Sequence, residues 1–101
     1  MARESKLIRD RILEIILKKG GKCSFHIADK REFEKRLKDK LKEEVGELCE
    51  KLDKEEIADV FEVLDTILKF KKYKKIDILK IQQKKRKEKG GFDRGIVLDK
   101  Y

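Results

Sequence analysis

The sequence predicts an all-α domain of four helices with at most a small β ribbon. Three observations carry this. Apolar residues recur at steps of three and four through four separate segments, the spacing that lines one helix face. The breaks between segments hold helix signals, Asp before a start and Gly or Lys clusters after an end. Only two short stretches alternate with the two-residue period of a strand. No repeat or long linker interrupts the chain, so residues 1–101 read as one domain.

The first helix is expected over Asp10–Lys19, with Asp10 as N-cap and Ile8, Ile12, Ile15 and Ile16 along one face. Lys18-Lys19-Gly20-Gly21 stops it, with cations in the last turn. Cys23, Phe25 and Ile27 then alternate with Ser24 and His26, a weak strand signal. His26 itself is read as a surface or packing residue. The second helix runs from about Lys30 to Leu52, capped by Asp29, with Phe33, Leu37, Leu41, Val45, Leu48 and Leu52 as its stripe. Asp53 breaks the chain and caps a third helix, about Lys54 to Lys72. Ile57, Val60, Phe61, Leu64, Ile67 and Leu68 line one side, and Val63 and Phe70 extend it around the helix. A helix so widely apolar should be central, packed on two neighbours. It also predicts a homodimer or higher even oligomer with Val63 or Phe70 near the interface. The fourth helix, about Asp77 to Lys89, has only Ile78, Leu79 and Ile81 as its apolar part and ends at Gly90-Gly91. Gly95-Ile-Val-Leu98 is a strand-like tail.

Half the residues are charged and the net charge is +8, but the balance is uneven. Residues 52–65 carry one basic and six acidic groups, whereas residues 66–101 carry thirteen basic and four acidic. A uniform basic coat would favour nucleic acid. An acidic centre between basic ends suits a metal–phosphate ligand, the carboxylates taking the metal and Lys or Arg the phosphate oxygens. No run is long and apolar enough for a membrane span or signal peptide, so a cytoplasmic location is expected. Cys23 and Cys49 have neither metal-ligand nor disulfide-framework spacing and read as small buried apolar residues.

Two carboxylate pairs stand out: Glu44-x-x-Glu47, preceded by Glu43, and Glu56-x-x-Asp59. Residues three apart share a helix face. At about 100° per residue, Glu44 and Glu56 fall inside the apolar arcs of their helices. Glu47 borders its arc, Glu43 lies farther out, and Asp59 falls beside Phe70. Two packed helices can thus point four carboxylates at one small volume, which demands a cation or the loss of charge. Hard oxygen ligands suit Mg²⁺, with Mn²⁺ as an alternative. Glu32, Glu34, Glu50 and Glu55 read instead as solvated or salt-bridged surface acids. At the basic ends, Lys6, Arg9 and Arg11, with Lys85, Arg86 and Lys89, are candidate phosphate-binding groups.

The same residues carry a family resemblance. Glu43-Glu44-Val-Gly-Glu47 followed by Glu56-Ile-Ala-Asp59 resembles the motif pair of the MazG-type all-α nucleoside triphosphate pyrophosphohydrolases. Lys6-Leu-Ile-Arg-Asp10-Arg-Ile12 and Lys84-Lys-Arg-Lys-Glu-Lys-Gly-Gly-Phe92 resemble the opening and ending of its small phosphoribosyl-ATP pyrophosphohydrolase-like branch. The resemblance implies an oligomeric, MazG-like four-helix bundle that uses Mg²⁺ to split the α–β phosphoanhydride of a nucleotide, releasing pyrophosphate. It places Glu44, Glu47, Glu56 and Asp59 on metal-ligand positions, with Glu43 adjacent, and a role in nucleotide-pool cleaning fits a short standalone domain. Glu43 and Glu47 are the candidate general bases. Two departures are visible. Only eight residues separate Glu47 from Glu56, and position 13 is Leu where the branch often has Pro, which leaves the first helix free to start earlier. The competing readings are a nucleic-acid-binding module using the Lys84–Lys89 run, which lacks interleaved aromatics, and a non-catalytic interaction module.

Overall fold

The computed structural model describes residues 5–101 and is all-helical over them. Four helices follow one another: α1 (Asp10–Lys18), α2 (Lys30–Glu50), α3 (Lys54–Lys71) and α4 (Lys75–Lys89). Among the described residues there is no strand. The strand-like alternations at 23–27 and 95–98 are loop. An alternating pattern becomes a strand only beside a partner edge, and neither stretch has one. The chain forms two compact units, one running to Ile67 and the other Leu68–Tyr101, with the boundary in the last turns of α3.

In the first unit, α1 begins at Asp10, so Arg9 takes the N-cap position without a side-chain cap and Asp10 becomes the acid of the first turn. The expected Asp10 cap is thereby displaced by one residue. Gly20 lies in the left-handed region at φ 75°, and the Gly20 and Gly21 amides close on the carbonyls of Leu17 and Ile16. Asp29 caps α2 as expected, its Oδ1 accepting from the Glu32 amide at 2.8 Å. Asp53 does the same for α3, accepting from the Glu56 amide at 3.0 Å. Three residues separate α2 from α3, so the two helices make a hairpin. Its buried apolar side chains are Leu37 on α2 and Val63 on α3. Of the two residues expected near an interface between chains, Val63 is buried in the chain's own core and Phe70 is half-buried.

The N-terminal segment is tied to α2 by polar contacts. Arg36 Nη1 donates to the Ser5 carbonyl at 3.0 Å, and Lys6 lies 3.8 Å from Glu43. The following loop is pinned by His26, whose Nε2 meets both Glu32 oxygens at 2.8 and 2.9 Å, while Arg36 reaches Glu32 from one turn on. The His26 hydrogen bond holds the Glu32 carboxyl below the ordinary 4.5, against its partial burial and with help from Arg36. Both cysteines are free and exposed, contrary to expectation: Cys23 sits in the loop, and Cys49 lies off the apolar stripe of α2.

In the second unit, Lys72 at φ 60° ends α3, and the Tyr73 amide closes on the Leu68 carbonyl at 2.9 Å. α4 carries Asp77 in its first turn and three cations in its last, complementing the helix dipole. It stops at Gly90, whose φ of 82° suits glycine. Ile78, Leu79 and Ile81 are all exposed. None of the described helices is long and apolar enough to cross a membrane.

Candidate metal centre

The acidic site is built on the α2–α3 hairpin, near its turn. Glu44 on α2 meets Glu56 and Asp59 on α3, and one oxygen from each carboxylate lies within 4.8 Å of the others. The Asp53 cap starts α3 where Glu56 and Asp59, three residues apart, face α2 together. Glu44 is 8% exposed, and Glu56 and Asp59 are half-buried. The apolar arcs of the two helices thus carry acids into a closed position, as their helical phase predicts.

The four-carboxylate expectation needs adjustment. Three acids converge tightly, whereas Glu47 is exposed, beside the set rather than in it. Its carboxyl is nevertheless raised above 4.5, first by the Glu44 charge, then by burial and by Glu43. Glu56 is raised as well, first by burial and then by the charges of Glu47, Asp53, Asp59 and Glu44. Two oxygens, Glu44 Oε2 and Glu56 Oε2, are buried with no hydrogen-bond partner. A buried carboxylate oxygen without a donor is costly. The donor set fits a hard divalent cation: oxygen ligands only, crowded, and with lone pairs unused.

Cations of the chain flank this cluster. Lys40 contacts Glu43 at 3.1 Å and Glu44 Oε1 at 3.4 Å from the preceding turn of α2, and its side chain is only 17% exposed. Burial pulls the Lys40 ammonium down, but the hydrogen bonds and charges of Glu43 and Glu44 outweigh this and hold it above 10.5. Lys40 was not among the expected site residues. Its signal was its spacing, three and four residues before two acids, hidden among 29 basic residues. Arg9 reaches the cluster from the N-terminal segment, donating from Nη2 to Asp59 Oδ1 at 2.7 Å.

Of the other expected phosphate-binding residues, Lys6 lies against Glu43 at the edge of the cluster. Arg11 is exposed and pairs with Glu14 on its own helix. Lys85, Arg86 and Lys89 belong to the second unit. There Arg86 meets Asp93 at 3.0 Å, and all three side chains are exposed. An open groove lined by Lys6, Arg36, Asp39, Lys40 and Glu43 borders the acidic cluster through its last two residues. No family model, curated protein or solved structure matches the chain.

Proposed function

We propose that the chain is a Mg²⁺-dependent nucleotide pyrophosphohydrolase of MazG-like fold. It would split the α–β phosphoanhydride of a nucleoside triphosphate or related nucleotide into a monophosphate and pyrophosphate. The observation that carries the reading is the meeting of Glu44, Glu56 and Asp59 with two buried oxygens unused. These three residues would hold the ion, with Glu47 beside them. A bound divalent ion supplies neutralisation of phosphate charge and activation of water, the two needs of phosphoanhydride cleavage.

The chain's own groups divide the remaining work. Of the two candidate bases, Glu43 is engaged by Lys40 and Lys6. Glu47 is exposed beside the cluster and its carboxyl is raised above the ordinary value, which makes it the more basic of the two when ionised. Glu47 is therefore assigned the proton, and Glu43 the task of anchoring two lysines. Lys6 and Lys40 line the groove next to the cluster and would draw in the phosphate chain. Assembly into a homodimer or higher even oligomer belongs to the same proposal, because the second unit has no buried residue and much apolar surface stays open on the first.

A panel of triphosphates, incubated with Mg²⁺ and assayed separately for pyrophosphate and orthophosphate, tests the reaction. Pyrophosphate from at least one nucleotide, abolished by EDTA, is expected. Orthophosphate as sole product would move the cleavage to another bond, and no product from any nucleotide would return the chain to a binding role.

A further inference from the structure

Two cations touch the converging carboxylates, Arg9 at Asp59 and Lys40 at Glu44, and Arg9 is the less securely held. Its side chain is 56% exposed, and it reaches Asp59 across fifty residues of sequence from the uncapped start of α1. Lys40 differs in each respect. It is 17% exposed, bonds two acids, and sits on the same helix as both, so it stays whatever enters the site. A partly exposed ion pair is worth little and is easily exchanged, whereas a buried one is not. Asp59 is also one of the three carboxylates that converge. The guanidinium therefore holds its positive charge against a ligand that a divalent cation would share. Two other oxygens of the cluster, Glu44 Oε2 and Glu56 Oε2, are buried without partners, and Glu44 is 8% exposed. The chain supplies no third cation to them among the described residues.

We propose that Arg9 is an exchangeable counter-ion. In the cation-free chain it occupies Asp59. When a divalent cation enters the cluster, Arg9 yields that carboxylate, driven off by like charge, and its freed guanidinium turns to the phosphate oxygens of the substrate. The proposal rests on the metal–phosphate reading given above and adds an order to it: Arg9 becomes available to phosphate only after the cation is bound. Arg9 competes with the cation for Asp59 but contacts the phosphate, so removing it must tighten binding of the first and weaken binding of the second. A residue that merely braced the fold would weaken both.

Two titrations on the 101-residue chain test this. Mn²⁺ alone, followed calorimetrically without nucleotide, should bind Arg9→Gln more tightly than wild type, by on the order of tenfold. Pyrophosphate, titrated in saturating Mg²⁺, should bind Arg9→Gln more weakly by a similar factor. Arg9→Lys should move both values back toward wild type. A further measurement needs no variant. Mn²⁺ alone should speed amide hydrogen exchange at the start of α1 in the wild-type chain, because the tie to Asp59 is released. If both chains bind Mn²⁺ and Arg9→Gln binds it no more tightly, or if exchange at α1 does not quicken, the exchange is overturned and the metal site stands. If neither chain binds Mn²⁺, the metal reading itself fails and the exchange falls with it.

Discussion

Glu56 is the residue whose chemistry is most at odds with its place. Burial and four neighbouring acids raise its carboxyl, and its Oε2 has no donor. An isosteric neutral side chain removes the cost and keeps the shape. Glu56→Gln should therefore unfold at a higher temperature than wild type in EDTA. The same change should cut turnover by about two orders of magnitude, the scale for losing one preorganised charge-stabilising group. Glu50→Gln, on the exposed side of α2, should match wild type in both. Equal effects of the two substitutions would remove the argument from helical phase. The pH dependence follows with a definite sign. Glu47 and Glu56 are raised above 4.5, so the folded chain holds protons that the unfolded chain has released. Metal-free stability should fall as pH rises from the ordinary carboxylate value through their folded range, and level off once both are ionised. Glu32 runs the other way. It is lowered below 4.5, and its contribution is present above that value and lost on acidification. Thermal unfolding in EDTA from about pH 4 to 8 should thus show its maximum on the acid side, and added Mg²⁺ should reverse the upper limb. A metal-free midpoint that climbed steadily to neutral pH would contradict this.

At the scale of the element, Asp53 links the start of α3 to the site, because it caps the Glu56 amide and its charge also raises the Glu56 carboxyl. Asp53→Ala removes the cap and should cost about 1 kcal/mol. Asp53→Asn keeps a capping oxygen without the charge and should cost less, so denaturant midpoints that ranked Asn below Ala would refute the cap's role. This cap, like that of Asp29, was readable in the sequence because it depends on residues three apart. The burial of Glu44 was readable for a related reason: helical phase alone sets which side of a stripe a residue joins. Contacts made through the fold were less visible. Nothing in spacing joins Arg9 to Asp59, and Arg9 stood out only as part of a motif. The alternation of Cys23, Phe25 and Ile27 misled because a period of two has meaning only against a neighbouring strand. Lys40 was lost among similar lysines, although its position before Glu43 and Glu44 distinguished it.

Across the whole molecule, the apolar surface of α3 is divided between covered and open residues. α3 carries two stripes rather than one broad face. Val60, Val63 and Ile67 are buried or half-buried, whereas Ile57, Phe61 and Leu64, spaced four and three apart, are 40%, 61% and 43% exposed. Contiguous exposed stripes of this kind are costly in water and are ordinarily covered. Self-association through Ile57, Phe61 and Leu64 would cover them with a two-fold-related copy. Light scattering at micromolar concentration should find a homodimer or larger even assembly, and a 12.0 kDa particle would refute this. Phe61→Asp should dissociate the assembly and make the unfolding midpoint of the remaining dimers steeply concentration-dependent. Whether sites are shared is a separate question with its own experiment. Arg86 lies in the second unit and Glu56 in the first. If a basic α4 serves the acidic cluster of another chain, inactive Arg86→Ala and inactive Glu56→Ala chains should regain part of their activity on mixing, since some sites then combine an intact arginine with an intact carboxylate. If each chain serves itself, every site in the mixture keeps one defect, and activity should stay at the level of the separate variants.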